Sequence, residues 1–189
     1  MDEKEAELIK RCQQGDQTAM REIFEQHHRR VYRIAYGVVR RREDALDVVQ
    51  EVFIKLFRSL KGFKGKSTLS TYLYRLTLNA AIDHCRRSKK TPGVSLEATG
   101  DIRAVEAEEG RPDQLAARKE LEAIMKWAID QLPREQRSAL LLREIEELSY
   151  AEIAETMGCS IGTVMSRLHY GRKRLLELLK DHLKGEGNR

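Results

Sequence analysis

Residues 149–179 have the sequence SYAEIAETMGCSIGTVMSRLHYGRKRLLELL, and this stretch decides the fold. Ser149 followed three residues later by Glu152 is the capping-box pattern that begins a helix. Gly158 predicts where that helix ends, because glycine adopts the left-handed conformation at a helix C-terminus without a Cβ clash. Ser160 is then placed to cap a second helix. Two helices separated by such a turn predict a helix-turn-helix.

The second helix of this motif has two different faces. The 3-4 spacing predicts an inner face made of Ile161, Val164, Leu168, Gly171, Leu175 and Leu178. The predicted outer face is polar and basic and comprises Thr163, Ser166, Arg167, Tyr170, Lys173 and Arg174. A face of this kind suits the DNA major groove, where side chains contact base edges and phosphates. The alternative is an ordinary helical hairpin whose basic face is only solvated.

Length and composition limit the class of protein. The chain has 189 residues, 41% of them hydrophobic and 34% charged, which allows one domain or two small ones with a solvated surface. The first five residues, MDEKE, have the wrong charge for a signal peptide, and no apolar run approaches the roughly 20 residues that span a bilayer. We therefore expect a soluble, cytoplasmic protein without membrane insertion. The separated Cys12, Cys85 and Cys159 are expected to be reduced, structural thiols.

The formal charge of +5 is unevenly distributed along the chain. Residues 1–90 contain 20 Lys and Arg against 12 Asp and Glu, whereas residues 91–118 contain 3 against 6. Within the rest, residues 119–159 are acidic and residues 160–189 are basic, with 7 Lys and Arg against 3 Asp and Glu. Two basic regions separated by an acidic segment suggest two contacts with a polyanion.

The N-terminal part is predicted to contain three helices before residue 61. Two lie within residues 3–40, where Gly15 ends the first and Asp16 caps the second, with Thr18 as a competing cap. A third runs from Glu43 to Leu60. Its wide apolar face is expected to comprise Leu46, Val49, Val52, Phe53, Leu56, Phe57 and Leu60.

The polar stripe of the third helix has two interpretations. It contains Asp44, Asp47 and Glu51 in its first half and Lys55 and Arg58 in its second. That order matches the helix dipole, which favours acidic residues at the N-terminus and basic ones at the C-terminus. The stripe is also suited to docking on another protein, and periodicity does not separate the two explanations.

A basic loop at residues 61–70 precedes a helix predicted over residues 71–87. The loop, KGFKGKSTLS, has two glycines, three lysines and an aromatic ring. Basic residues interleaved with Phe63, Tyr72 and Tyr74 are suited to single-stranded nucleic acid, since bases stack on rings while the backbone follows positive charge. Alternatively, the two tyrosines are core residues.

The remaining segments complete an all-α prediction. Residues 91–112 lack a helical period and contain Pro, Gly and acidic residues, which predicts a linker. Helix is expected again from about residue 113 to Leu132, and Pro133 is expected in the first turn of the next helix. No segment shows the alternation typical of a strand.

Three stretches together resemble the extracytoplasmic-function sigma factors of bacterial RNA polymerase. They are DALDVVQEVF at 44–53, FKGKSTLSTYLYRLTLNAAID at 63–83, and the segment from LPREQ at 132–136 through GTVMSR at 162–167. The resemblance covers nearly the whole chain except the linker. It implies two small helical domains, region 2 over residues 1–90 and region 4 over 114–189, joined by a flexible acidic linker at 91–113 that threads toward the polymerase active-site cleft.

The resemblance also implies roles for individual residues. Region 4 would read the promoter -35 element as duplex through Ser160, Thr163, Met165, Ser166, Arg167, His169, Tyr170, Arg172 and Lys173. Region 2 would capture the melted non-template strand of the -10 element through Phe63, Lys64, Lys66, Ser67, Thr68, Leu69, Tyr72, Arg75, Asn79, Asp83, Arg86 and Arg87. Asp44, Asp47, Gln50 and Glu51 would bind polymerase. The implied partners are core RNA polymerase, promoter DNA and an anti-sigma factor.

Three positions depart from the family pattern. The family usually has Arg or Lys where this chain has Met165, and often a basic residue where it has Tyr170. Methionine cannot form the bidentate bond to guanine, although it can contact a thymine methyl group. This predicts an altered -35 preference. Tyr72 replaces a tryptophan that is common in the family and preserves stacking.

Two other functions compete with promoter recognition. A free-standing helix-turn-helix repressor or activator would explain residues 149–179 but would leave the basic loop and the acidic stripe without a role. The second competing function is catalysis, but the sequence has no P-loop, GxSxG, HExxH or paired metal-ligand motif. We therefore predict no catalytic residues, metal site or cofactor.

Overall fold

A computed structural model of the chain describes residues 3–65, 67–88 and 112–186, with the backbone alone for 112–119 and 183–186. Every regular element within these ranges is helical. The elements are α1 (Glu3–Gln13), α2 (Gln17–Val39), α3 (Arg42–Leu60), α4 (Leu69–Ser88), α5 (Pro112–Asp130), α6 (Arg134–Leu140), a π-helical segment (Leu141–Ile145), α7 (Tyr150–Met157) and α8 (Ile161–Glu186). The all-α prediction is confirmed for the described ranges.

Local capping fixes the first helix boundary, as the sequence predicted. Gly15 has a φ of 88°, and the Asp16 carboxylate accepts hydrogen bonds from the backbone N–H groups of Thr18 and Ala19 at 2.8 and 3.1 Å. Those hydrogen bonds lower the pKa of Asp16, together with one from Arg11. Asp16, and not Thr18, is therefore the cap of α2.

Helices α1–α4 form an N-terminal bundle, in which α2, α3 and α4 pack pairwise and α1 lies against α2 and α3. Its largest fully buried side chains include Ile23, Ile34, Leu56 and Leu73. Helices α5–α8 form a C-terminal bundle, in which α8 contacts α5, α6 and α7. Val164 and Leu168 of α8 are buried there, as the spacing predicted.

The two bundles pack against each other. Helix α2 contacts α6 and the π-helical segment, α4 contacts α7, and buried residues of both bundles belong to one continuous hydrophobic core. Arg33 and Glu146 form an ion pair at 3.0 Å across this boundary, and Arg40 pairs with Asp130. Gly37 of α2 lies where an added Cβ would be 2.7 Å from Leu141 Cδ2, so any other residue would have to displace that side chain.

Several predictions of burial and boundary were wrong at the edges of helices. Leu46 and Ile161, assigned to apolar faces, are 51% and 49% exposed, because no helix of the described ranges covers those edges. Helix α4 begins at Leu69, two residues earlier than predicted, because the Thr68 hydroxyl accepts from the Thr71 N–H at 3.1 Å. The linker predicted at 91–113 lies outside the described residues up to 111, and residues 112–113 belong to α5.

Candidate nucleic-acid interface

The helix-turn-helix is built by three local capping interactions. The Ser149 N–H donates to the Glu152 carboxylate at 2.8 Å, and the Glu152 N–H donates to the Ser149 hydroxyl at 3.3 Å. Gly158 has a φ of 61°, and the Thr163 N–H donates to the Ser160 hydroxyl at 3.1 Å. These contacts fix where α7 ends and α8 begins, and they confirm the predicted turn.

The outer face of α8 exposes most of the side chains predicted to contact duplex DNA. Those that are exposed are Ser160, Met165, Ser166, His169, Tyr170, Arg172 and Lys173. Thr163 and Arg167 are half-buried. The Arg167 guanidinium donates to Cys159 Sγ at 3.4 Å, so Arg167 is held against the turn instead of pointing freely outward. Arg172 pairs with Glu144 at 2.7 Å.

A shallow apolar depression of about 480 Å³ lies beside Met165, on the flank of α8 next to Tyr150. It is lined by Tyr150, Met165, Leu168, His169, Arg172, Lys173 and Leu176. Apolar groups therefore line one flank of the outer face, beside the cations Arg172 and Lys173, of which Arg172 is paired with Glu144. A surface of this composition can contact a thymine methyl group and neighbouring phosphates, but it has no bidentate donor at position 165.

A second cavity lies in the N-terminal bundle, between the end of α3 and the start of α4. It has a volume of about 220 Å³ and is lined by Ser59, Gly62, Phe63, Lys64, Ser67, Tyr72 and Arg75. The Phe63 and Tyr72 ring centroids are 5.3 Å apart, and the Arg75 guanidinium carbon lies 5.4 Å from the centre of the Tyr72 ring. Two rings and two cations beside a polar opening are suited to an unpaired base and its phosphate.

Tyr72 is held in place by a hydrogen bond that sequence analysis missed. Its hydroxyl donates to the Ser59 hydroxyl at 2.9 Å, which ties α4 to the last turn of α3. Tyr74, the other tyrosine of this helix, is buried with 2% exposure. The sequence left open whether these tyrosines face nucleic acid or belong to the core. In the structure Tyr72 lines the cavity, whereas Tyr74 is a core residue.

The residues predicted to contact single-stranded DNA differ in their exposure. Lys64, Thr68, Asn79, Arg86 and Arg87 are exposed, while Phe63, Ser67, Tyr72, Arg75 and Asp83 are half-buried. Lys66 lies outside the described residues. The prediction for Leu69 was wrong, because its side chain is fully buried in the bundle core and has no surface that DNA could reach.

The acidic stripe of α3 is only partly free. Asp47 and Gln50 are exposed, whereas Asp44 lies 3.3 Å from His84 Nε2. Glu51 is bonded to Lys55 at 2.6 Å and to Arg87 at 3.1 Å. The hydrogen bond from Lys55, assisted by the one from Arg87, lowers the pKa of the Glu51 carboxyl.

Two apolar side chains on this same face were not predicted to be exposed. Leu46 and Ile54 are 51% and 46% exposed, and they lie one helical turn on either side of Gln50. The available signal was that each is four residues from Gln50, a polar residue of the stripe. Exposed apolar side chains beside Asp47 make this surface amphipathic, which is typical of a protein-binding face.

Within the described ranges, no group of three or more His, Cys, Asp or Glu side chains is arranged to hold a metal ion. None of the helices in those ranges has the length and apolar character needed to cross a membrane.

Comparison with known proteins gives two matches to family models and many relatives. Residues 23–91 match the model of sigma-70 region 2, and residues 125–175 match that of sigma-70 region 4. The chain is 41% identical to the ECF RNA polymerase sigma factor SigE of Mycolicibacterium smegmatis, over 89% of this chain and 65% of that protein. It is 34% identical to the RNA polymerase sigma-H factor of Pseudomonas aeruginosa, over 96% of this chain and 97% of the other.

Among solved structures, the sigma factor RpoE of Bartonella quintana, crystallised with the anti-sigma factor NepR, is similar with a TM-score of 0.68. The identity is 25%, and the similarity covers 85% of this chain and 96% of that one. This chain spans about two thirds of the length of the mycobacterial relative and nearly the whole length of the Pseudomonas relative.

Proposed function

The chain belongs to the extracytoplasmic-function sigma factors of bacterial RNA polymerase, and from that premise we propose that it binds core RNA polymerase and directs it to specific promoters. It acts in the cytoplasm and has no catalytic chemistry of its own. Residues 1–90 serve as region 2, residues 91–113 as the linker and residues 114–189 as region 4. A dedicated anti-sigma factor controls its availability.

One observation supports this proposal above the others: the chain carries two nucleic-acid surfaces of different kinds. The outer face of α8 is a continuous helical surface suited to intact duplex. The cavity that Phe63 and Tyr72 line is too small for duplex DNA and is suited to one unstacked base. A free-standing helix-turn-helix regulator needs only the first of these surfaces.

For the -35 element, we assign base-edge and methyl contacts to Met165, Ser166 and His169, which are exposed on α8. Arg172 and Lys173 are assigned to phosphates, because their charges lie at the edge of the apolar depression. Ser160, Thr163, Arg167 and Tyr170 flank them. Arg167 contacts the Cys159 sulfur through Nη1, and we assign the other N–H groups of its guanidinium to DNA.

For the -10 element, we propose that an unpaired base of the non-template strand enters the cavity that Phe63 and Tyr72 line. Lys64 and Arg75 line that cavity and supply positive charge for the adjoining phosphates. Asn79, Asp83, Arg86 and Arg87 follow along α4, where Asn79 is exposed and able to contact a neighbouring base edge. Leu69 has no direct contact in this proposal.

For polymerase, we propose an amphipathic docking face on α3. Asp47 and Gln50 supply its polar contacts, and Leu46 and Ile54 supply apolar area. Asp44 and Glu51 act mainly within the bundle, because each is already bonded to a side chain of α4. The apolar residues make desolvation of the face favourable.

Promoter binding requires the two bundles to separate. Elements centred about 25 base pairs apart are about 85 Å apart along B-DNA at 3.4 Å per step. A compact chain of this length has a radius of gyration of only about 16 Å. Simultaneous contact with both elements therefore breaks the contacts between α2 and the π-helical segment, including the Arg33–Glu146 pair.

Run-off transcription with core polymerase on a pooled promoter library tests the proposal and defines both elements together. We expect transcripts from a subset of promoters that share two sequence elements. Tight binding of the isolated chain to palindromic duplex, without any transcript in the presence of core polymerase, would instead establish a free-standing regulator. Purified chain is also assayed for nucleotide hydrolysis, and we expect none.

A further inference from the structure

Gln13, at the end of α1, joins the N-terminal helix to the cavity loop. Its side-chain amide donates to the main-chain carbonyl of Leu60 at 3.0 Å and to that of Phe63 at 3.2 Å. Those carbonyls are 47 and 50 residues away in sequence. Leu60 is the last residue of α3, where helix carbonyls lack intrahelical partners. One amide therefore closes the end of α3 and fixes the first turn of the loop.

Both walls of the cavity depend on this same segment. Phe63 supplies one ring, and its N–H donates to the Leu60 carbonyl at 3.0 Å, so its backbone is held from both sides. Tyr72 supplies the other ring and is tied through its hydroxyl to Ser59, one residue before Leu60. Beyond Phe63 the chain leaves the helical conformation, and Gly65 has a φ of 67°. The direction of the Phe63 side chain is thus set where Gln13 holds the main chain.

We propose that Gln13 is a positioning residue for single-strand capture: it holds Phe63 against Tyr72, so that the two rings together form the wall on which one base stacks. This inference rests on the proposed function of the cavity. Because the Phe63 ring is already ordered in the free protein, strand binding loses less conformational entropy. Gln13 itself lies behind the loop main chain and does not touch the base.

The decisive variant is Gln13→Met, which keeps the length of the side chain but removes both donors. The assay uses polymerase holoenzyme and a fork-junction DNA with an unpaired -10 strand carrying 2-aminopurine, taken from a promoter selected by run-off transcription. We expect binding of the unpaired strand to weaken about tenfold, because the Phe63 side chain must then be ordered when the strand binds. Affinity for core polymerase and for -35 duplex should change less than about twofold, because neither surface touches the loop.

Gln14→Met is the matched control, because Gln14 is the next residue, is exposed and has the same side chain. We expect it to leave strand binding unchanged. Gln13→Glu, which keeps the size but replaces the donor with an acceptor, should behave like Gln13→Met. Thermal unfolding of each variant shows whether the fold is retained. If Gln13→Met does not fold, strand binding by Gln13→Glu tests the proposal instead.

A double-mutant cycle with Phe63→Ala separates positioning from general stability. If Gln13 acts through Phe63, Gln13→Met should cause almost no further loss of strand binding once the ring is absent. Additive losses, or an equal loss of core polymerase affinity, would show a merely structural role and overturn the inference. A failure of the proposed function is distinct from this result, since it would abolish run-off transcription by the unmodified chain.

Discussion

Arg33 and Glu146 are 113 residues apart in sequence, yet Arg33 Nε donates to Glu146 Oε1 at 3.1 Å and Arg33 Nη2 lies 3.0 Å from the same oxygen. The Glu146 side chain is 1% exposed, whereas that of Arg33 is 44% exposed. Arg30 lies 3.8 Å from the second oxygen. A nearly buried carboxylate of the C-terminal bundle is thus neutralised by α2 of the N-terminal bundle.

Arg33→Ala is expected to lower the free energy of unfolding by about 1 to 2 kcal/mol, because Glu146 then keeps only its more distant partner. Urea denaturation at pH 7 measures the change. Arg29→Ala, on the exposed side of the same helix, is the control and should change stability by less than about 0.5 kcal/mol. Equal effects in the two variants would show that the pair contributes nothing.

Gly37→Ala tests the close approach of α2 to the π-helical segment. In an ordinary helix interior this substitution stabilises by about 0.5 to 1 kcal/mol. Here the new Cβ would lie 2.7 Å from Leu141 Cδ2, so we expect that gain to be cancelled or reversed. When Leu141 is also replaced by alanine, Gly37→Ala should again stabilise the fold. Urea denaturation of the four variants measures the coupling, and purely additive values would contradict the contact.

Ser149→Ala tests the capping box of α7. Loss of the cap should cost about 1 kcal/mol at pH 7, and Ser166→Ala, mid-helix on α8, should cost less than about 0.5 kcal/mol. The hydrogen bond from the Ser149 hydroxyl, with that from its N–H, lowers the pKa of Glu152 below its ordinary value of 4.5. Because the folded pKa is the lower one, this stabilisation is present above pH 4.5 and is lost as pH falls below that value.

The difference in stability between the unmodified chain and Ser149→Ala should therefore shrink between pH 7 and pH 3. NMR titration of Glu152 should show its pKa rising toward the ordinary value in Ser149→Ala. A pKa that stays low in the variant would mean that the hydroxyl does not hold the carboxylate.

Leu46→Ala and Ile54→Ala test the docking face on α3. Each should weaken binding of core polymerase by about 1 kcal/mol or more, since truncating an apolar anchor in an interface has effects of that size. Stability should change little, because both side chains are about half exposed. Leu121→Ala is the control, as Leu121 is 60% exposed on α5. Titration of labelled core polymerase measures the affinities, and losses no larger than that of Leu121→Ala would place docking elsewhere.

Met165→Arg tests the predicted -35 preference. A guanidinium at this exposed position should introduce a preference for guanine of about 1 to 3 kcal/mol at one base pair. Selection from a randomised -35 library measures the preference of the holoenzyme. Met165→Leu keeps an apolar contact and should select the same sequences as the unmodified chain. An unchanged preference in Met165→Arg would remove the idea that Met165 contacts a base.

The helix boundaries were predictable because short-range interactions set most of them. Asp16, Ser149 and Ser160 each accept hydrogen bonds from N–H groups within three residues, and Gly158 ends its helix through its own backbone conformation. The apolar spacing of α8 likewise placed Val164 and Leu168 in the core. The sequence by itself therefore determined the all-α class, the helix-turn-helix and the position of the basic loop.

Only the tertiary structure decided which edge of each helix is covered and which distant residues meet. A 3.6-residue period gives the direction of an apolar face but not the extent of its neighbours, so Leu46 and Ile161 were assigned to the core although they are exposed. Leu69 was assigned to DNA although it is buried. The contacts of Gln13 with the loop and of Arg33 with Glu146 join residues about 50 and 113 positions apart. Helix packing brings those partners together, and no local pattern encodes where a packed neighbour will lie.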